Sequence, residues 1–272
     1  GSSEDMTEHT ATTPSGQTFI LAVVSGKGGV GKSMTSVNTA DTLNRMGYRV
    51  ALIDVDIGLS NCATLMNEPS GYSVSRWVGG ECCLEDLPQD CSGVTLVTAS
   101  DDPGSNHFEP GLLMDALDQV SDWLCEDHQF VIIDTPAGAG EMTLWALDKA
   151  HLGAVVLVDE PTSVADAYRL CKYVYSIDPG YPFACIVNQA ENEMTAGSTF
   201  KRFNTILNYF MDQQAAYLGF IPASPSIRDS IRQQRPLGKA DPGHSVLVEF
   251  QFISANLIGL SGSPARQHSS TY

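Results

Sequence analysis

The chain has 272 residues, 43% of them hydrophobic, and a formal net charge of −17. That length suits one α/β domain with a substantial core. The charge disfavours direct DNA binding through a broad face, which needs clustered Lys and Arg, and no apolar run reaches membrane-span length.

Residues 1–17 read as a polar, disordered tail, 18–260 as a single domain, and 261–272 as a disordered C-terminal tail. The apolar run Phe19–Val24 has the composition of a buried parallel strand. It leads into Gly26-Lys27-Gly28-Gly29-Val30-Gly31-Lys32-Ser33, which satisfies G-x-x-x-x-G-K-[ST] between a strand and a helix. In such a loop glycines turn backbone N–H groups inward around phosphate oxygens, and the helix N-terminus adds partial positive charge. Gly26, Gly28, Gly29, Val30, Gly31, Lys32, Ser33 and Met34 are therefore the expected nucleotide-binding stretch. Lys32 is expected on the β- and γ-phosphates and Ser33 on Mg²⁺.

The second lysine, Lys27, directly after the first glycine, resembles the deviant Walker A motif of the MinD/ParA family of dimerising ATPases. The resemblance implies that Lys27 crosses a sandwich dimer to the partner's nucleotide, acting in trans as an arginine finger does. Its bland alternative is a solvated loop lysine.

A helix over Lys32–Met46 carries the apolar stripe Val37, Ala40, Leu43 and Met46, and Gly47 stops it. Arg49–Val55 reads as a second central strand, completing a right-handed βαβ unit. Asp54 and Asp56, two residues apart, fall on one side of the strand at its carboxyl end. Carboxylates there can hold metal-bound waters or orient an attacking water. Asp-x-Asp-x-Gly also matches switch I of MinD-like proteins, which implies the water-positioning role for Asp56 and an outer-shell metal role for Asp54. The alternative is a turn acceptor.

Residues 60–92 are loop-rich, with short helices of one or two turns at Tyr72–Val78 and Glu81–Leu87. Val94–Ala99 is a third strand, Ser100–Pro110 a polar loop, and Gly111–Leu124 an amphipathic helix. Phe130-Val131-Ile132-Ile133-Asp134 is four apolar residues ending in an acid, the Walker B pattern, with Asp134 expected at the Mg²⁺ site. Thr135-Pro136-Ala137-Gly138 resembles switch II of MinD-like proteins.

Ala154–Val158 is a further strand, after which Thr162 or Ser163 is expected to cap a helix. Glu-Pro-Thr-Ser-x-x-Asp-Ala-Tyr over 160–168 is similar to the flagellar-number regulators, the FleN/FlhG subgroup. No catalytic role attaches to Glu160 or Asp166. Phe183–Val187 is expected to end in Asn188, which the resemblance implies reads the adenine edge. Thr199–Met211 is an amphipathic helix, Tyr217–Ile221 a last strand, and Pro222 opens a loop that in relatives borders the base. Ser226–Arg235 is a helix bearing Arg228, Arg232 and Arg235.

Val246, Phe250, Ile253 and Leu257 mark one face of a final helix. Between His244 and Gly262 it holds no Lys or Arg, which favours core packing over the membrane binding known for MinD and the flagellar regulators. Membrane association stays open as the alternative. The seven cysteines form no C-x-x-C pair or zinc spacing, in keeping with reduced thiols in the cytoplasm. An iron–sulfur reductase would need cysteines near switch II, and 134–141 holds none.

The fold class expected is α/β, a mostly parallel central sheet with helices on both faces. The resemblance implies an ATP/ADP- and Mg²⁺-binding switch, a slow, partner-stimulated ATP hydrolase that forms a homodimer in the ATP state. Its implied partners are a flagellar transcriptional activator or a flagellar placement GTPase. The chain lacks the Asp-Gln-Ala-x-x-Leu-Arg segment that many flagellar relatives use to act on that GTPase. The alternatives are a MinD-type positioning ATPase for another polar or division structure, and a binding module that scarcely hydrolyses ATP.

Overall fold

Strand β1 (Phe19–Val24) lies at the middle of the sheet because all six of its residues are apolar and every one is buried. A computed structural model describes residues 13–56, 61–68, 71–100 and 109–262. Alternate β1 side chains enter two separate cores. Ile20, Ala22 and Val24 join one, while Phe19, Leu21 and Val23 join the other, as period-two geometry requires of a strand covered on both faces.

From β1 the chain enters α1 (Lys32–Arg45), then β2 (Val50–Asp54) and the short helices α2 (Asn61–Leu65) and α3 (Val74–Val78). The hairpin β3 (Gln89–Cys91) and β4 (Val94–Thr98) follows, then α4 (Pro110–Asp127), β5 (Phe130–Asp134) and α5 (Glu141–Lys149). The second half runs β6 (Leu152–Leu157), α6 (Pro161–Ile177), β7 (Phe183–Ala190), α7 (Glu193–Met211) and β8 (Ala216–Pro222). It ends in α8 (Pro225–Arg232), α9 (Leu237–Ala240) and α10 (Leu247–Ser261). The sheet order is β3-β4-β2-β5-β1-β6-β7-β8, with β3 antiparallel to β4 and the other neighbours parallel. The expected mostly parallel sheet with helices on both faces is the observed fold.

Two features position the site. Consecutive strands β1 and β2 are separated by β5, so the carboxyl ends of all three converge at a topological crevice. The register then sets Asp54 of β2 opposite Asp134 of β5, and Val23 of β1 opposite the same Asp134.

Several boundaries differ from the sequence reading. Thr13 is buried and its hydroxyl donates to the Gln17 carbonyl at 2.6 Å, while 14–17 are exposed. Residues 1–12 and 263–272, and Ile57 to Ser60 with the glycine of the Asp-x-Asp-x-Gly motif, lie outside the described residues, as does 101–108 of the polar loop. Strand β3 and helix α5 are additional elements. A three-residue edge strand and a nine-residue helix leave too short a period to stand out. Helix α6 starts at Pro161, two residues before Ser163, because proline suits the first helical position. Ser163 instead accepts the Val158 N–H at 3.1 Å. Met46, expected in the α1 stripe, is 39% exposed beyond the end of the helix.

Helix α10 lies against β8 and α1. Phe250, Ile253 and Leu257 are fully buried, so the apolar face read from the sequence packs on the sheet. Among the described residues no helix is long and apolar enough to cross a membrane.

Candidate nucleotide and cation site

The loop between β1 and α1 owes its shape to two glycines. Gly31 sits at φ 82°, a left-handed conformation, and a Cβ there would lie 2.2 Å from Asn188 Nδ2. At Gly26 a Cβ would come within 2.2 Å of the Asp166 backbone, so α6 rests directly on the loop. Gly31 is the N-cap of α1 and contributes no side-chain acceptor, which leaves the first-turn N–H donors facing an anion site. A cavity of about 400 Å³ opens there, lined by Gly28 to Met34 together with Thr64, Leu65, Ala137 and Ile231.

Behind Ser33, which lines that cavity, Asp134 is fully buried. Its Oδ2 accepts the Ser33 hydroxyl at 2.6 Å, and its Oδ1 accepts the Ser36 hydroxyl at 2.8 Å. Lys32 Nζ lies 3.5 Å from Oδ1 and is itself only 8% exposed. Asp54 sits beside Asp134, its Oδ1 accepting the Asp56 N–H at 3.0 Å and its Oδ2 the Cys62 N–H at 3.2 Å. Burial, reinforced by the neighbouring Asp134 carboxylate, pushes Asp54 up to about 7. Asp56 is half-buried and raised by burial, with Lys32 pulling it back down and Asp134 adding to the rise. Of the two buried carboxylates, Asp54 and Asp134, Asp134 is the one paired with Lys32 among the described ion pairs. Hard oxygen donors, excess negative charge and the Ser33 hydroxyl together fit a small divalent cation such as Mg²⁺.

A second cavity, of about 390 Å³, adjoins the first and is lined by Met34, Asn188, Pro222, Ile227 and Arg228 among others. Asn188 is 2% exposed, and its Nδ2 donates to the Val30 carbonyl at 2.8 Å. It lies within β7, which runs on to Ala190, rather than after the strand's last residue. Its amide thus fixes the loop backbone while facing the cavity. Pro222 closes β8 opposite Ala190.

Comparison with known proteins agrees with this geometry. Residues 17–258 match the ParA family, described as the NUBPL iron-transfer P-loop NTPase. The antiactivator FleN of Pseudomonas aeruginosa is 31% identical over 240 residues, covering 86% of this chain and 84% of FleN. The chain belongs to the ParA/MinD family of P-loop NTPases. The flagellum site-determining protein YlxH of Helicobacter pylori is 29% identical over 84% of this chain and 77% of its own. Among solved structures, MinD complexed with Mg-ADP from Pyrococcus horikoshii superposes with a TM-score of 0.71 at 21% identity, covering 88% of this chain and 96% of that one. The MinC:MinD complex of Aquifex aeolicus gives 0.72 at 22%, over 89% and 96%. These two establish the likeness of fold.

Within this ParA/MinD fold, Lys32 and Ser33 line one cavity with Asp134 buried behind them and Asp54 beside it, and Met34, Asn188 and Pro222 line the adjoining cavity. Lys27 turns elsewhere. Its Nζ lies 2.9 Å from Glu160 Oε2 and 3.4 Å from Thr162 Oγ1, at the start of α6. Glu160 was visible in sequence only as part of a helix start, since nothing in the order of residues reveals a contact 133 positions apart. Ser36 was also missed. It sits three residues after Ser33 on one helix face, a spacing that identifies it once α1 is placed against β5. Cys62 was likewise not singled out, although its Sγ lies 3.5 Å from Asp134 Oδ2.

Proposed function

We propose that this chain is an ATP-dependent dimerising switch ATPase that regulates flagellar number or placement by restraining a flagellar transcriptional activator. What carries the reading is the likeness to FleN over 86% of the chain, with the whole phosphate-loop constellation present in the fold. In it Lys32 and the loop N–H groups hold the phosphates, and Ser33 and Asp134 hold Mg²⁺, with Asp54 in the outer shell. The cation supplies charge neutralisation between the phosphates when bound. Asp56 orients the attacking water, and Lys27 completes the partner's site across the dimer.

Asn188 offers its amide, and Pro222 its backbone edge, to the base. Binding of ATP favours the dimer, and hydrolysis releases it, a shift that requires nucleotide to bind the two states differently. The protein acts in the cytoplasm. An exposed aromatic patch gives a partner a surface to cover. Phe210, 62% exposed, packs its ring 5.7 Å from Tyr168 and 4.9 Å from Tyr209. Lys172 and Lys201, both exposed, lie on the same two helices of an otherwise acidic chain.

A second reading, a positioning ATPase for another polar or division structure, is favoured by several MinD relatives, among them that of Synechocystis at 28% identity over 88% of the chain. Both readings share the switch and differ in the partner. The test is the solution mass, by light scattering, of wild type and Asp56→Ala with ADP and with Mg-ATP, followed by pull-down of the flagellar activator. Dimer with ATP alone, more persistent in the variant and retaining the activator, is the expected result. Nucleotide binding without a change of mass overturns the switch, and a dimer that ignores the activator favours the second reading.

A further inference from the structure

Helix α2 begins one residue before Cys62, a buried thiol beside the cation site. Its backbone N–H donates to Asp54 Oδ2 at 3.2 Å, and its thiol donates to Asp134 Oδ2 at 3.5 Å. One donor atom from each of Asp54, Cys62 and Asp134 lies within 4.8 Å of the others, and all three residues are buried. Zinc–sulfur and zinc–oxygen bonds of about 2.3 and 2.1 Å at a tetrahedral angle place sulfur and oxygen about 3.6 Å apart. The Cys62–Asp134 separation is thus close to what one tetrahedral metal spans. A thiolate selects soft cations, whereas Mg²⁺ prefers six oxygens and keeps its waters.

We propose that Cys62 makes the cation site of this ATPase a site for thiophilic divalent metals, zinc above all, held by Asp54, Cys62 and Asp134 in competition with Mg²⁺. The inference rests on the reading of Asp134 and Ser33 as the Mg²⁺ site. The metal–sulfur bond forms as the thiol proton leaves to bulk water, and a water completes the tetrahedron. Lys32 and Ser36 stay on the other oxygen of Asp134, so the phosphate lysine is not displaced. Zinc held there draws Asp134 away from Ser33 and blocks Mg-nucleotide binding, which makes the metal an inhibitor of the ATP-state dimer.

The test uses the full, nucleotide-free chain and its Cys62→Val and Cys62→Ser variants, titrated with zinc by calorimetry and with cadmium by absorbance. Cadmium bound to thiolate gives an ultraviolet charge-transfer band, and background from exposed thiols such as Cys83 is common to all three proteins. The expected result is zinc affinity roughly 10- to 100-fold weaker in both variants, with one thiolate's share of the band lost and with zinc displaced by excess Mg²⁺ in the wild type. Equal zinc affinity and equal bands in all three overturn the proposal. Wild-type binding of a fluorescent ATP analogue with Mg²⁺ is read separately. Its failure sinks the ATPase reading, whereas ATP binding with unchanged zinc affinity sinks the role of Cys62 alone. Should Cys62→Val not fold, Cys62→Ser decides, because it keeps the shape and removes only the sulfur.

Discussion

Lys27 Nζ and Glu160 Oε2 are 2.9 Å apart within one chain. The lysine that the dimer reading sends to a partner's nucleotide is held, in the single chain, by the residue that precedes α6. Its side chain is 35% exposed and that of Glu160 56%, so the pair is worth about 0–1 kcal/mol. Such a contact restrains the lysine and is weak enough to be given up on dimerisation. Glu160→Gln is expected to leave thermal stability nearly unchanged and to raise the ATP-bound dimer fraction, by up to roughly fivefold in the dimerisation constant for about 1 kcal/mol. Light scattering across a concentration series checks this, and an unaltered dimerisation constant shows the contact to be inert.

Lys27→Ala is expected to bind ATP with wild-type affinity and to lose turnover by roughly a thousandfold or more, by analogy with a charge supplied in trans. Single-turnover hydrolysis and a separate equilibrium binding measurement distinguish the two effects. Unchanged turnover removes Lys27 from the chemistry.

Lys32→Ala removes the only cation beside Asp134 among the described ion pairs, and in the proposed ATPase the charge on the phosphates. Charge-assisted contacts contribute about 1.5–3 kcal/mol, so ATP affinity is expected to fall by roughly 10- to 100-fold. Calorimetric titration with ATP checks it, and a smaller loss would put the phosphates elsewhere.

The raised Asp54 carboxyl makes stability depend on pH. Below its unfolded value of about 3.9 the group is protonated in both states. Between there and about 7 only the folded protein keeps the proton, so its contribution is lost as pH rises toward 7. Cation-free protein is therefore expected to lose thermal stability from pH 5 to pH 8, in that window, beyond what other groups impose. Asp134→Asn, which removes the repelling charge, should flatten the slope. Added Mg²⁺ should stabilise the wild type more at the upper end, where the carboxylate is ionised. Melting curves on both proteins with chelator and with Mg²⁺ are the check, and parallel pH profiles would refute the repulsion.

Phe250 and Phe252 lie two residues apart on α10, one fully buried and the other 55% exposed. Phe250→Ala is expected to cost about 3–5 kcal/mol in urea unfolding, and Phe252→Ala under about 1 kcal/mol. The wild type is expected to stay in solution when mixed with anionic lipid vesicles, since the apolar face is already spent on β8 and α1. Sedimentation with the vesicles would return the membrane reading.

Local sequence patterns were enough for the phosphate-loop motif, the strand-end acids and most of the strands and helices, though not for β3 or α5. Each depends on residues close together in the chain: a glycine spacing, an apolar run ending in Asp, a period of two or of 3.6. The sequence also showed that α10 had an apolar face without basic residues, which pointed to packing. Which distant groups meet was set by the three-dimensional packing. The sheet register put Asp54 opposite Asp134 and so raised one of them. The fall of α6 onto Gly26 brought Glu160 to Lys27. Placing α2 under the strand ends gave Cys62 its two aspartates. Such contacts follow from how layers stack on the sheet, and chain-local patterns carry no record of that stacking.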